Sequence, residues 1–172
     1  MLPESLESRQ GIEEPSGIEL ANFFEEILTK GTDIRVRVTG SSMTPFLKGG
    51  EIVTISKTDR SDLRMGDLIL FKNDQGLPVL HRILRQWNRN NKCYYQAKGD
   101  GLIAPDKPIP EGCILGKVYL VEKRVAHKSV RTLAMNSALW KGVNRVTALW
   151  HLSKTFFFMF CSAIKIRFQV ER

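Results

Sequence analysis

One stretch of this chain limits its fold more than any other: from residue 34 to about residue 122, short β-rich runs alternate with turn chemistry. Ile34, Val36 and Val38 alternate with Arg35 and Arg37, the period-two signature of a half-buried strand, and the run ends in a Gly-Ser turn. The segments EIVTI, DLILF, PVLHRIL, CYYQA and CILGKVYLV follow, with NDQG and NRNN suited to hairpin loops. This pattern predicts a mainly β fold, a barrel or sandwich of six or seven strands.

The flanks read differently. Ser16 followed by Glu19 forms a capping-box pattern, Leu20, Phe24 and Ile27 recur at helical spacing, and Gly31 supplies a stop, so residues 17–30 are predicted as an amphipathic helix. Residues 1–16 are acidic and are expected to be disordered. Beyond Lys123 the turn residues vanish. Leu139, Val143, Val146, Trp150, Phe157, Phe160 and Ile164 fall near one helical stripe, with Ser153 as the gap. Residues 123–172 are therefore expected to form a basic, amphipathic extension of two helices or one broken helix, appended to a domain spanning 17–122.

Charge separates these regions. Residues 1–116 hold 15 basic and 16 acidic side chains, whereas residues 117–172 hold 11 and 2. Three readings of the extension stay open: packing on the barrel or on a partner subunit, resting on an anionic membrane surface, or contacting nucleic acid. The last is the weakest, because no nucleic-acid-binding motif accompanies the basic residues. Cys93, Cys113 and Cys161 are odd in number and widely spaced, with no CxxC, which suggests neither a disulfide framework nor a zinc site. The N-terminal residues lack a basic leader and an apolar core. The longest apolar run, Thr155 to Ile164, is about half of what a bilayer-spanning helix needs. A cytoplasmic or peripherally membrane-associated protein is the expectation.

Three segments, VTGSSMTP, LHRIL and KGDGLIAPD, place a nucleophile, a base and an orienting carboxylate near strand ends. Ser42 lies between Gly40-Ser41 and Met43, where a sharp turn projects its hydroxyl, but it needs a base within hydrogen-bond reach to attack near neutral pH. His81 sits in an apolar run, and Val79 and Ile83 share its face, which favours the neutral ring that accepts a proton. Asp100 and Asp106 are the candidate carboxylates; on spacing alone either could accept the second imidazole N–H, or simply brace a turn.

The segment GSSMTPFLKGGEIVTI resembles the serine box of type I signal peptidases. LRMGDLILF resembles their recurrent Gly-Asp strand segment, LHRIL their base box, and KGDGLIAPD with ILGKV their downstream boxes, all in the family's order over residues 33–122. The resemblance implies the signal-peptidase fold, shared with self-cleaving SOS-response repressors. Histidine in the base box implies the Ser–His branch found in the endoplasmic reticulum, archaea and spore formers. In that branch the third member lies six residues past the first Asp, which implies Asp106 as orienter and leaves Asp100 to hold the turn. Many relatives carry Ser-Gly-Ser before the methionine; here Gly40 stands at the first position and offers no side-chain donor, so the Ser42 backbone N–H carries more of the oxyanion contact.

The resemblance thus implies a cofactor-free, metal-free serine endopeptidase acting on leader-like peptides or precursor proteins. Ser42 would attack, His81 would relay the proton and Asp106 would orient the ring, with Gly40, Ser41, Met43 and Asp100 shaping the oxyanion site and groove. Two alternatives remain: a non-catalytic peptide-binding module of the same fold, and a self-cleaving regulator of the repressor type.

Overall fold

A computed structural model describes residues 15–124 and 130–169, the last fourteen of these by backbone alone. The N-terminal helix α1 spans Gly17–Thr29. Its capping box forms as the sequence predicts: Glu19 N–H donates to Ser16 Oγ, and Ser16 N–H donates to the Glu19 carboxylate at 2.8 Å. Ala21, Phe24 and Leu28 are its buried residues, one turn of contact after another, and Gly31 follows at φ 78°, a left-handed position that favours glycine.

Eight strands then build one curled antiparallel half-barrel: β1 (Ile34–Arg37), β2 (Ile52–Ser56), β3 (Leu68–Lys72), β4 (Pro78–Arg89), β5 (Lys92–Lys98), β6 (Ile109–Pro110), β7 (Ile114–Arg124) and β8 (Val130–Ala134). The order across the sheet is β1-β2-β7-β3-β4-β5-β6, and β8 pairs with β7. The long strand β7 meets β3 along its first half and β8 along its second, so β8 continues the edge where β3 stops. NDQG and NRNN close the β3–β4 and β4–β5 hairpins, the second with Asn90 and Asn91 both at positive φ, as a primed two-residue turn requires.

Two apolar clusters result. One joins Phe24 and Leu28 of α1 to Val53, Ile55, Leu70, Leu115, Val118 and Val121, together with Met43 and Leu47 from the loop after β1. The other gathers Leu63, Ile69, Phe71, Ile83, Tyr95, Ala97 and Ile109. The serine loop is thereby anchored through its own apolar side chains rather than left free.

The region after Lys123 differs from the expectation. It is not helical from its start: β7 runs on to Arg124 and β8 adds an eighth strand, in which only Leu133 is buried. Short, mostly exposed strands leave little hydrophobic period to read, which also explains why the two-residue β6 escapes prediction. A single unbroken helix α2, Ala138–Gln169, stands in place of the expected two helices or one broken helix. Ser153 does not break it, because its hydroxyl donates to the Trp150 carbonyl at 2.8 Å inside the helix.

The predicted stripe also faces the other way. Leu139, Val143, Val146 and Trp150 are exposed, while Asn144, Ala148 and His151 are buried against the sheet. The expected disorder of residues 1–16 falls almost entirely outside the described residues, as do the side chains of Phe157, Phe160, Cys161 and Ile164. Cys93 and Cys113 are free thiols.

Gly66, between the 3-10 turn at Arg60–Asp62 and β3, lies directly against the α2 backbone at Asn144. It holds φ 95°, and a Cβ there would lie 2.6 Å from the Asn144 carbonyl carbon and oxygen. Gly66→Ala combines a left-handed backbone with an overpacked helix contact, so unfolding in urea should show a loss of roughly 2–4 kcal/mol. An unchanged midpoint would show that α2 does not rest on this glycine.

Candidate active site

Strand β4 carries His81 and Arg82 at adjacent positions, opposite Ile69 and Leu68 of β3, and Arg82 also lies opposite Lys98 of β5. Successive side chains leave a strand on opposite faces, so the two residues serve different parts of the site. Val79 and Ile83 pack with Phe71, and the His81 ring lies 6.1 Å from the Phe71 ring. The imidazole is 5% exposed. Its Nδ1 is 2.7 Å from Asp106 Oδ2. A carboxylate at that distance fixes Nδ1 as the protonated nitrogen, leaving Nε2 as a lone-pair acceptor.

Nε2 points toward the serine loop. A Cβ on Gly99 would sit 2.9 Å from His81 Nε2 and 2.5 Å from the Ser42 carbonyl oxygen, so the bare backbone of Gly99 is wedged between the His81 ring and the Ser42 loop. Gly101 does the same one step on: its N–H donates to the Ser42 carbonyl at 2.8 Å, and a Cβ there would come within 2.9 Å of the Thr44 carbonyl. The glycines of KGDGL are thus the means by which the end of β5 docks on the serine turn, a role the motif alone does not reveal.

The serine turn is built from its own backbone. Val38 N–H donates to the Glu51 carbonyl, Gly50 N–H to Val38, Thr44 N–H to Ser41 and Leu47 N–H to Met43. Gly40 takes φ 81° with open space where a Cβ would be. The Ser42 N–H has no hydrogen-bond partner among the described residues, which leaves it available to an oxyanion. Ser42 and His81 line one cavity of about 500 Å³, together with Val36, Val38, Gly40, Met43, Leu80 and Leu102, but no hydrogen bond joins Ser42 to His81 among the described residues. Catalytic contacts of this kind commonly tighten only when substrate is bound.

The sequence-predicted residues therefore divide. Ser42, His81, Gly40 and Met43 border one groove, and Asp106 adjoins it through His81. Met43 is 2% exposed and belongs chiefly to the core, while Ser41 is exposed and serves the turn through its carbonyl. Asp100 does not reach His81. Its two oxygens accept from Arg82 Nε at 2.8 Å and Arg82 Nη2 at 2.7 Å, a buried bidentate pair. The remaining Arg82 nitrogen, Nη1, donates to the Gly66 carbonyl and to Asn144 Oδ1 of α2.

Sequence reasoning missed Arg82, Asn144 and His151 as members of this assembly. The basic residue next to His81 carried the only available signal for the first. Nothing local marks Asn144 or His151 as members, because the site residues they meet, Arg82 and Lys98, lie 62 and 53 residues away in the chain.

No protein-family model matches the chain. Among curated proteins it is 30% identical over 92 residues to the signal peptidase complex catalytic subunit SEC11 of Zygosaccharomyces rouxii, covering 52% of each chain. It is 27% identical over 81 residues to the same subunit of Scheffersomyces stipitis, covering 46% of this chain and 48% of that one. The alignment spans about half the length of each relative. Together with the half-barrel, these partial matches show that about half of the chain is similar to SEC11-type signal peptidase catalytic subunits.

Proposed function

We propose that this protein is a serine endopeptidase that cuts leader-like segments from peptides or precursor proteins by Ser–His–Asp chemistry. The observation that carries the reading is the 2.7 Å contact between His81 Nδ1 and Asp106, which aims Nε2 at the serine loop. Nε2 takes the Ser42 proton as Oγ attacks the scissile carbonyl, and the imidazolium formed is stabilised by the Asp106 carboxylate. The carbonyl oxygen, now negative, meets the free Ser42 N–H. His81 then protonates the leaving amine, and water, deprotonated by the same ring, hydrolyses the acyl-enzyme.

Substrate would enter as an extended strand. β1 is the outermost strand at its end of the sheet among the described residues, and Val36 and Arg37 on it line the same apolar groove as Ser42. A peptide pairing with this edge gains main-chain hydrogen bonds while alternate side chains enter the groove. Mass spectrometry of a leader-peptide library should reveal cuts made by the wild type and lost in Ser42→Ala and His81→Ala. Asp106→Asn should slow them by roughly 10²–10⁴-fold. Binding without any product would favour the peptide-binding module, a reading supported by the missing side-chain donor at Gly40 and the absent Ser42–His81 hydrogen bond.

We also propose that α2 rests on an anionic membrane surface. Among the described residues no helix is long and apolar enough to cross a membrane. The outward face of α2 nevertheless exposes Leu139, Val143, Val146, Leu149 and Trp150, with Lys141, Arg145 and Lys154 exposed among them. An apolar stripe edged by cations fits the interface of an anionic bilayer. Sedimentation with phosphatidylserine vesicles at low salt should retain the wild type, and Val146→Glu should weaken retention about tenfold. Equal partitioning of the two proteins would contradict the contact.

A further inference from the structure

A second cavity, of about 680 Å³, opens where the loop after β5 faces α2, lined by Lys98, Asp100, Leu102, Ile103, Trp150 and Lys154 among others. It adjoins the Ser42 groove at Leu102, which lines both. Gly101, on its wall, is hydrogen-bonded to the Ser42 carbonyl. Past the carbonyl that Ser42 attacks, a peptide whose leader side fills the groove along β1 has a way over Leu102 into this cavity.

The cavity is charged in one sense. Lys98 is 3% exposed, and its ammonium donates to His151 Nδ1 at 3.0 Å, which makes Nε2 the protonated ring nitrogen, 3.4 Å from Asp100 Oδ1. Asp100, the one carboxylate among the residues lining the cavity, is already held by both nitrogens of the Arg82 fork. No ion pair neutralises Lys98 among the described residues. Burial pushes its pKa down, against the pull of Asp100 and with Lys154 adding to the fall. At the mouth Lys154 is exposed, with its ammonium 5.0 Å from the Trp150 ring centroid. Leu102, Ile103 and Trp150 supply exposed apolar surface around these cations. An anion on a short apolar stem matches both features, since it gains charge contacts and buries its methylenes.

We propose that this cavity is the subsite for the leaving half of the cleaved peptide and that it takes an acidic side chain, with Lys98 at its floor and Lys154 at its mouth. This inference rests on the peptidase reading for the placement of the scissile bond. The test, run without vesicles, compares peptides that differ only in Glu, Gln or Lys at each of the first few positions after the cut.

Wild type should cleave the Glu peptide faster than the Lys peptide by about fivefold to tenfold in kcat/KM at one of these positions, the size of a partly screened charge contact. Lys154→Glu, a surface change that leaves the buried cluster in place, should reverse the order, and Lys98→Met should flatten it. Equal rates in the wild type, or a Glu preference that survives both variants, would overturn the subsite. If folded wild type cuts nothing, the peptidase reading fails, and calorimetry on the same peptides then decides the subsite alone. Tighter binding of Glu than Lys peptide to Ser42→Ala, reversed by adding Lys154→Glu, supports it; equal affinities or no binding refutes it.

Discussion

The Arg82–Asp100 pair holds this site together. Its side chains are 1% and 2% exposed, and a buried guanidinium is tolerated only when its donors are met by well-placed acceptors. Here they are: Asp100 takes two, the Gly66 carbonyl and Asn144 of α2 take a third nitrogen. Three separate pieces of chain therefore converge on one cation. Removing either charge would leave the other buried and alone, at a cost of about 3–5 kcal/mol.

That cation is the chain neighbour of His81, and that carboxylate lies between Gly99 and Gly101. Fixing Asp100 fixes the two glycines that press on the serine loop, and fixing Arg82 fixes the strand that presents the imidazole. Asp106 arrives from the far end of the same loop and meets the His81 ring at Nδ1. Two carboxylates six residues apart thus take separate partners: Asp100 pairs with Arg82 in the scaffold and Asp106 holds the His81 ring. The helix α2 takes part in the first pairing, so the segment beyond the barrel contributes to the site's framework as well as presenting an apolar face to solvent.

Much of this was legible in the residues. The alternation at Ile34–Val38, the capping box at Ser16 and the hairpin loops report local physics, and local physics is what a sequence displays. The division of labour between Asp100 and Asp106 came from the resemblance; spacing alone left it open. What could not be read depends on contacts distant in sequence. The stripe Leu139–Val143–Val146–Trp150 is truly helical in period, but periodicity states that a helix has an apolar face, not which neighbour that face meets. The face that packs inward is marked by Asn144 and His151, whose burial makes sense only once Arg82 and Lys98 are seen beneath them. The β8 strand was hidden for a related reason, since an exposed strand need not carry an apolar alternation.

The central claim is that His81, aimed by Asp106, makes Ser42 a nucleophile. Treating the folded protein with a serine-directed fluorophosphonate and mapping the adduct by mass spectrometry tests it most directly. The account predicts one adduct, on Ser42, formed by the wild type and not by His81→Ala. An adduct on a different residue, or labelling of Ser42 at the same rate without His81, would contradict it.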